Sequence, residues 1–181
     1  MSAPRIIAGK FRGRVLSAPA GAATRPTNAR ARQAVFDILL HAPWAGHDFM
    51  QTARVLDVFA GTGAYGIEAL SRGAAAASFI ENDRDALTAL RANIAACKAE
   101  GVTKIIKADA LHPPAGTPHD LIFLDPPYGQ NLVPQAIAAL AAANYFATAA
   151  VFVAELGPQD QFAPAHVLTE RRHGKARLLF W

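Results

Sequence analysis

The stretch Asp120-Leu-Ile-Phe-Leu-Asp-Pro-Pro-Tyr-Gly129 decides how the chain is read. Leu121 to Leu124 is a short apolar run of the kind buried on both faces of a parallel sheet. Asp125-Pro126-Pro127 ends it abruptly, because proline lacks the N–H that a ladder needs and restricts the residue before it. A carboxylate, two proline carbonyls and the Tyr128 ring are therefore left at the carboxyl end of a strand. Open α/β sheets bind their ligands at that edge.

The cluster suits a particular chemistry. An exocyclic amine on a nucleobase is a weak nucleophile, because its lone pair is conjugated into the ring. A carboxylate and a proline carbonyl that accept its N–H bonds hold the nitrogen in the geometry of attack, and Tyr128 can stack on a base taken out of its helix. The alternative is a plain proline turn capped by Asp125. The apolar strand before it and the tyrosine after it favour the chemical reading.

Upstream, Arg54 to Phe59 is predicted as the first strand, followed by Gly61-x-Gly63-x-x-Gly66 and a helix ended by Gly73. Ser78 to Glu81 is the second strand. Asp83 caps a helix whose Leu87, Leu90, Ile94 and Cys97 share one face, which makes Cys97 a core residue. Lys104 to Lys107 is the third strand, ending near Asp109, and Leu121 to Leu124 the fourth. Downstream come a helix over Leu132 to Ala142, a fifth strand over Val151 to Glu155, and a hairpin from Val167 to Trp181 turning at His173-Gly174-Lys175. This alternation predicts a doubly wound, mostly parallel α/β sheet closed by an antiparallel pair. Ahead of it, Arg5 to Leu16 reads as two short strands around a glycine turn, too poor in apolar residues to fold alone. Residues 1–24 are thus expected to be a basic hairpin appendage on a domain of residues 25–181, which begins with a helix from about Ala29 to Leu40.

The glycine turn matches the dinucleotide-binding fingerprint, with Glu81 20 residues past Gly61 where an acid would hold a ribose. A nicotinamide enzyme is therefore a serious rival. Asp57 inside the first strand favours S-adenosylmethionine, whose amino acid moiety is cationic; a pyrophosphate gains nothing from a carboxylate there. Asp109 offers an acceptor for an adenine amine.

The chain has 181 residues, is 52% apolar and carries a net charge of +4. No stretch of about 18 residues lacks charges or turn residues, which excludes a helical membrane span, and Met1-Ser-Ala-Pro-Arg lacks the apolar run expected of a signal peptide. A single cysteine excludes an internal disulfide. His41, His47, His112, His119, His166 and His173 lack the pairing of a metal site. A cytoplasmic location is the default expectation. The charges are segregated: Arg5, Lys10, Arg12, Arg14, Arg25, Arg30 and Arg32 precede the first acid, Asp37, and Arg171, Arg172, Lys175 and Arg177 follow the last. Such segregation is the footprint of a polyanion, with nucleic acid the expected partner.

Asp57-x-Phe-Ala-Gly-x-Gly, Glu81, Asn93 and Asp125-Pro-Pro-Tyr128 resemble the class I methyltransferases that act on exocyclic amines. Arg5-Ile-Ile-x-Gly-Lys-Phe-Arg-Gly-Arg, Arg25-Pro-Thr-x-x-Arg30 and Phe59-Ala-Gly-x-Gly-Ala-x-Gly-x-Glu-Ala-Leu-Ser-Arg-Gly73 resemble the bacterial 16S ribosomal RNA guanine-N2 methyltransferase family RsmD, nearly end to end. The resemblance implies a Rossmann-like sheet of seven strands with the last antiparallel, plus an N-terminal β-hairpin. It implies S-adenosylmethionine as donor and N2 of one guanine in 16S rRNA, free or in the small ribosomal subunit, as acceptor. A monomer is the expected state. Asp57, Gly61 and Gly63 would line the methionine moiety, Glu81 the ribose and Asp109 the adenine, with Phe59, Asn82 and Ala110 beside them. Asp125, Pro126, Pro127 and Tyr128 would hold the base, and Arg5, Lys10, Arg12, Arg14, Arg25 and Arg30 the RNA. Tyr65 departs from the family's smaller aliphatic residue and is expected to alter packing beside the cofactor. The nearest rival is an adenine-N6 methyltransferase acting on DNA or RNA, since the same four-residue motif serves both amines. A non-catalytic RNA-binding module is the other.

Overall fold

A computed structural model describes residues 4–19, 29–127, 129–174 and 176–181. Helices α1 (Ala29–His41) and α2 (His47–Thr52) lead into β1 (Arg54–Val58), α3 (Ala64–Ser71), β2 (Ala76–Glu81), α4 (Arg84–Ala96) and β3 (Thr103–Lys107). Then follow β4 (His119–Leu124), α5 (Leu132–Ala142), β5 (Phe146–Leu156), β6 (Thr169–His173) and β7 (Ala176–Phe180). The seven strands form one sheet in the order β3-β2-β1-β4-β5-β7-β6. Every pairing is parallel except those of β7, which runs antiparallel to both its neighbours. The mostly parallel α/β sheet expected from the sequence is present.

Each face of the sheet is covered. Val55, Leu121, Phe123 and Val153 point to the side packed by α1, α3 and α4, while Leu56, Ile122, Leu124 and Ala154 point to the side packed by α5. This two-sided burial is why the central strands read as continuous apolar runs. Asp83 caps α4 by accepting the Asp85 and Ala86 N–H groups, and Leu87, Leu90, Ile94 and Cys97 are buried as predicted. Three features differ from the sequence reading. The six-residue α2 is too short to show a helical period. A single 3₁₀ turn, Glu100–Val102, precedes β3. Strand β5 begins at Phe146, five residues early, with its register against β4 jumping between His119 and Leu121.

The N-terminal segment also differs. Its arms meet at one antiparallel bridge, Arg5 to Val15, instead of two strands. The Ile6, Gly13 and Leu16 N–H groups donate across the arms to the Arg14, Ile6 and Pro4 carbonyls at 2.9, 2.9 and 2.8 Å, and other backbone groups bond to the main sheet's helices. The Ile7 and Ala8 N–H groups donate to the two Glu68 carboxylate oxygens at 2.8 and 3.1 Å. Phe11 N–H donates to Ser71 Oγ at 2.9 Å, and Ser17 N–H to Asn93 Oδ1 at 2.7 Å. Gly9 lies so close to α3 that a Cβ would fall 1.8 Å from the Ser71 carbonyl oxygen. Ile6 and Leu16 are buried in the same core as α1 and α3.

Arg32, one of the cations of the basic end, is not on the surface. It is fully buried, with Nη2 donating to the Arg5 carbonyl at 2.6 Å and Nε 3.7 Å from Glu68. Arg72 closes on the same carboxylate at 2.7 Å. Burial depresses the Arg32 pKa, and Glu68 is the largest opposing influence. Glu68→Ala should therefore cost about 3–5 kcal/mol, the scale of a buried charge left without its partner. It should also open residues 5–16 to proteolysis. A urea midpoint and a cleavage pattern unchanged from wild type would contradict this role.

Candidate active site

The parallel register sets the site. Val58 lies opposite Ile80 on one side and Leu124 on the other, and Leu124 lies opposite Ala154. One step further along, Glu81, Phe59, Asp125 and Glu155 form a row across the carboxyl ends of four adjacent strands. The strand order reverses between β1 and β4, which opens a crevice at the middle of that row.

On the β1–β2 side the chain makes a strained turn. Phe59 has φ 63°, a left-handed conformation that costs a bulky residue about 1–3 kcal/mol and is typical of functional sites. Gly61 and Gly63 follow at φ 53° and 80°. Two carboxylates hold this turn. Asp57 Oδ2 accepts the Gly66 N–H at 2.8 Å from a position only 3% exposed. Burial pushes its pKa up to about 7. Glu81 accepts the N–H groups of Gly61, Asn82 and Asp83, each at 2.8 Å, which leaves one of its about four acceptor positions for a ligand. Asn82 itself is exposed. At the end of β3, Asp109 accepts the Leu111 N–H at 3.0 Å and meets His112 Nδ1 at 2.9 Å. Those two contacts, the Leu111 N–H first, hold its carboxyl below the usual range. Ala110 is buried beside it.

The glycines divide into two kinds. A Cβ on Gly63 would meet Leu90 Cδ1 at 2.5 Å, and one on Gly66 would meet the Phe79 ring at 2.4 Å. A Cβ on Gly61 would meet nothing within 4 Å. Gly63 and Gly66 thus serve packing, whereas the space over Gly61 is open to a ligand. The Asp57 carboxyl behind an open glycine turn offers a pyrophosphate nothing and fits a nucleoside that carries positive charge.

On the β4–β5 side, Asp125 is half-buried, Pro126 buried and Pro127 exposed. Tyr128 lies outside the described residues. Beyond it, Asp160 accepts the N–H groups of Gly129 at 3.0 Å and Gly157 at 2.7 Å, tying the loop to the end of β5. Sequence reasoning passed over Glu155, although it follows an apolar strand just as Asp125 does. Its Oε2 accepts the Tyr65 hydroxyl at 3.2 Å. Tyr65, expected beside the cofactor, lies across β4, its ring stacked on Phe123 at 4.9 Å.

Arg5, Lys10, Arg12 and Arg14 are exposed. Arg5 donates to the Gly13 carbonyl at 2.5 Å, Lys10 lies 4.8 Å over the Phe11 ring, and Arg14 donates to the Ala96 carbonyl. Arg30 is exposed at the start of α1, and Arg25 lies outside the described residues. Asn93 links this basic segment to the glycine turn, since its Nδ2 donates to the carbonyls of both Ser17 and Thr62 at 3.0 Å.

The family described as conserved hypothetical protein 95 matches residues 4–181. A curated relative from Escherichia coli, named ribosomal RNA small subunit methyltransferase D, is 40% identical over 83% of this chain and 73% of its own. The chain belongs to this family, RsmD. A solved structure from Escherichia coli, described as a candidate methyltransferase, superposes with a TM-score of 0.81 at 34% identity, over 97% of this chain and 95% of that one. The fold alone is shared with an RNA methyltransferase from Salinibacter ruber solved with S-adenosyl-L-homocysteine, which has a TM-score of 0.60 at 16% identity over 86% of this chain and 92% of that one.

The two kinds of glycine predict two kinds of variant. Gly66→Ala should lose about 1–3 kcal/mol of stability through overpacking against Phe79. Gly61→Ala should cost only about 1–2 kcal/mol of backbone strain and lose binding of an adenosyl ligand instead. Thermal unfolding and calorimetric titration with S-adenosylhomocysteine would separate the two; equal effects on both readouts would contradict the assignment.

Proposed function

We propose that the protein transfers a methyl group from S-adenosylmethionine to the exocyclic N2 amine of one guanine in 16S rRNA. The observation that carries this reading is Asp125, followed by a buried and an exposed proline, in one row with the glycine turn that faces open space. Family membership and the small-subunit rRNA methyltransferase relatives support it. The donor supplies an electrophilic sulfonium methyl when bound. Asp57 and the turn of Gly61 and Gly63 would hold its amino acid part, with Phe59 alongside. Glu81 and Asn82 would take the ribose, and Asp109 and Ala110 the adenine edge.

The rest of the chemistry belongs to the acceptor half. The Asp125 carboxylate and the Pro126 carbonyl accept the two N2 hydrogens, which fixes the plane of the amine and turns its weak lone pair toward the methyl. Pro127 stiffens the chain after them, and Tyr128 stacks on the base. Alkylation leaves N2 acidic, and its proton passes to Asp125 or to water. Most of the rate enhancement comes from positioning, for which pre-organised reactants are worth about 7–11 kcal/mol. Residues 1–24 and Arg30 would present cations to the phosphates around the target, with Arg5, Lys10, Arg12, Arg14 and Arg25 contributing. A domain of residues 25–181 would carry the chemistry. The same reading has the protein acting as a monomer in the cytoplasm, on free 16S rRNA or the small subunit.

Asp125→Ala should lower kcat about 10²- to 10⁴-fold, the effect of losing a positioned polar group at the reacting centre. The affinity for S-adenosylhomocysteine should change less than about threefold. Full turnover in this variant would overturn the amine-positioning role.

Asp57 predicts a pH dependence of cofactor binding. With a pKa of about 7, its carboxyl is protonated below that pH in the free protein and ionised above it. A cationic amino acid moiety beside it favours the ionised form, so binding below pH 7 releases a proton. Affinity for S-adenosylhomocysteine should therefore be flat above pH 8 and fall up to about tenfold per unit below pH 7. Asp57→Asn should abolish the slope. A flat profile from pH 5.5 to 8 in the wild-type protein would show that Asp57 does not meet the cation.

A further inference from the structure

Glu155 is the penultimate residue of β5, beside Asp125 on the adjacent strand at the usual spacing of about 4.8 Å. The alternation along β5 turns its side chain to the α3 face, the side that Val151 and Val153 pack. There the Tyr65 hydroxyl donates to Oε2 at 3.2 Å. Tyr65 is 5% exposed and its ring is fixed against Phe123. Burial, together with the Glu155 and Asp125 charges, pushes the phenol pKa up, so the hydroxyl remains a donor and holds Glu155 in one orientation. Glu155 is only 8% exposed, and its charge and that of Asp125 both act on the same Tyr65 phenol. It follows Ala154, which lies opposite Leu124, and so stands next to Asp125 at the other end of the row from Glu81.

The geometry points to Glu155 as the residue that selects guanine, by accepting N1–H of the target base while Asp125 and the Pro126 carbonyl accept the N2 hydrogens. This rests on the acceptor reading above and adds how the base is chosen. The reading edge of guanine carries two adjacent donors, N1–H and N2–H. Adenine offers an N6–H donor beside an N1 that only accepts. Ionised carboxylates only accept hydrogen bonds, so two of them in a row complement guanine and set a negative oxygen against the N1 lone pair of adenine. Sites built to hydrogen-bond a substrate group reject analogues lacking it by far more than apolar pockets do. Tyr65 acts through Glu155 as a positioning residue.

The experiment uses a 16S rRNA fragment whose target guanine is replaced by 2-aminopurine, which keeps the C2 amine and has no N1 hydrogen. Single-turnover kcat/KM is measured on both RNAs for wild type, Glu155→Gln and Tyr65→Phe. Wild type should favour guanine by about 10²-fold or more. Glu155→Gln can donate its carboxamide N–H to N1, so its preference should shift toward 2-aminopurine by at least about tenfold. Intrinsic differences in amine reactivity cancel in that ratio. Tyr65→Phe should lose part of the discrimination while keeping its affinity for S-adenosylhomocysteine and its unfolding midpoint. Wild type methylating both RNAs equally well would overturn the inference, and this comparison needs no variant to fold. An unchanged ratio in a folded Glu155→Gln protein would overturn it as well. Failure of wild type on the guanine RNA would count instead against the proposed reaction.

Discussion

The site depends on four parallel strands ending in register. Because β2, β1, β4 and β5 keep their rungs aligned, the residues just past Ile80, Val58, Leu124 and Ala154 form a continuous row. Alternation along a strand then assigns each side chain a face, and a one-residue slip would move Asp125 or Glu155 to the opposite side of the sheet. Both faces of the central strands are packed, so such a slip would bury charge on one face and strand apolar side chains at the edge. Core packing and site geometry are thus enforced by the same pairing.

Around that row, carboxylates do the holding. Asp57 and Glu81 accept backbone N–H groups from the glycine turn, and Asp160 accepts them from Gly129 after the motif loop and from Gly157 at the end of β5. Glu68 does the same for the N-terminal segment while sitting between Arg32 and Arg72. Each fixes loop backbone against a rigid strand or helix, the support that sites built on connections need. Asn93 joins two of these systems, since one side-chain amide serves both the basic segment and the glycine turn. On the proposed reading, the surface that meets RNA and the turn that meets the donor share a rigid anchor.

Much of this was legible in the sequence, for local reasons. Strands β1, β2 and β4 announce themselves as short, largely apolar runs, and α4 as a periodic face behind an aspartate cap. Asp125 stands out because two prolines follow it. What escaped notice depends on partners distant in the chain. Arg32 reads as a surface cation because Glu68 is brought against it only by folding. The N-terminal arms read as a hairpin because alternation is visible locally, whereas the bonds of Ile7, Ala8 and Phe11 to α3 are not. Tyr65 reads as a packing change beside the cofactor, and its hydroxyl gains a role only once β5 delivers Glu155. In the sequence that strand reads only from Val151, because Phe146 to Ala150 is alanine-rich and partly exposed. The glycine fingerprint leaves a nicotinamide enzyme open, and the Asp57 carboxyl behind the turn argues against that rival.

The most direct measurement is to incubate the protein with methyl-labelled S-adenosylmethionine and 16S rRNA or small subunits that lack the modification, digest the RNA, and identify the labelled nucleoside. The expected product is N2-methylguanosine at a single position, with no label on adenosine. Label recovered as N6-methyladenosine, or none transferred to either substrate by a protein that binds S-adenosylhomocysteine, would contradict it.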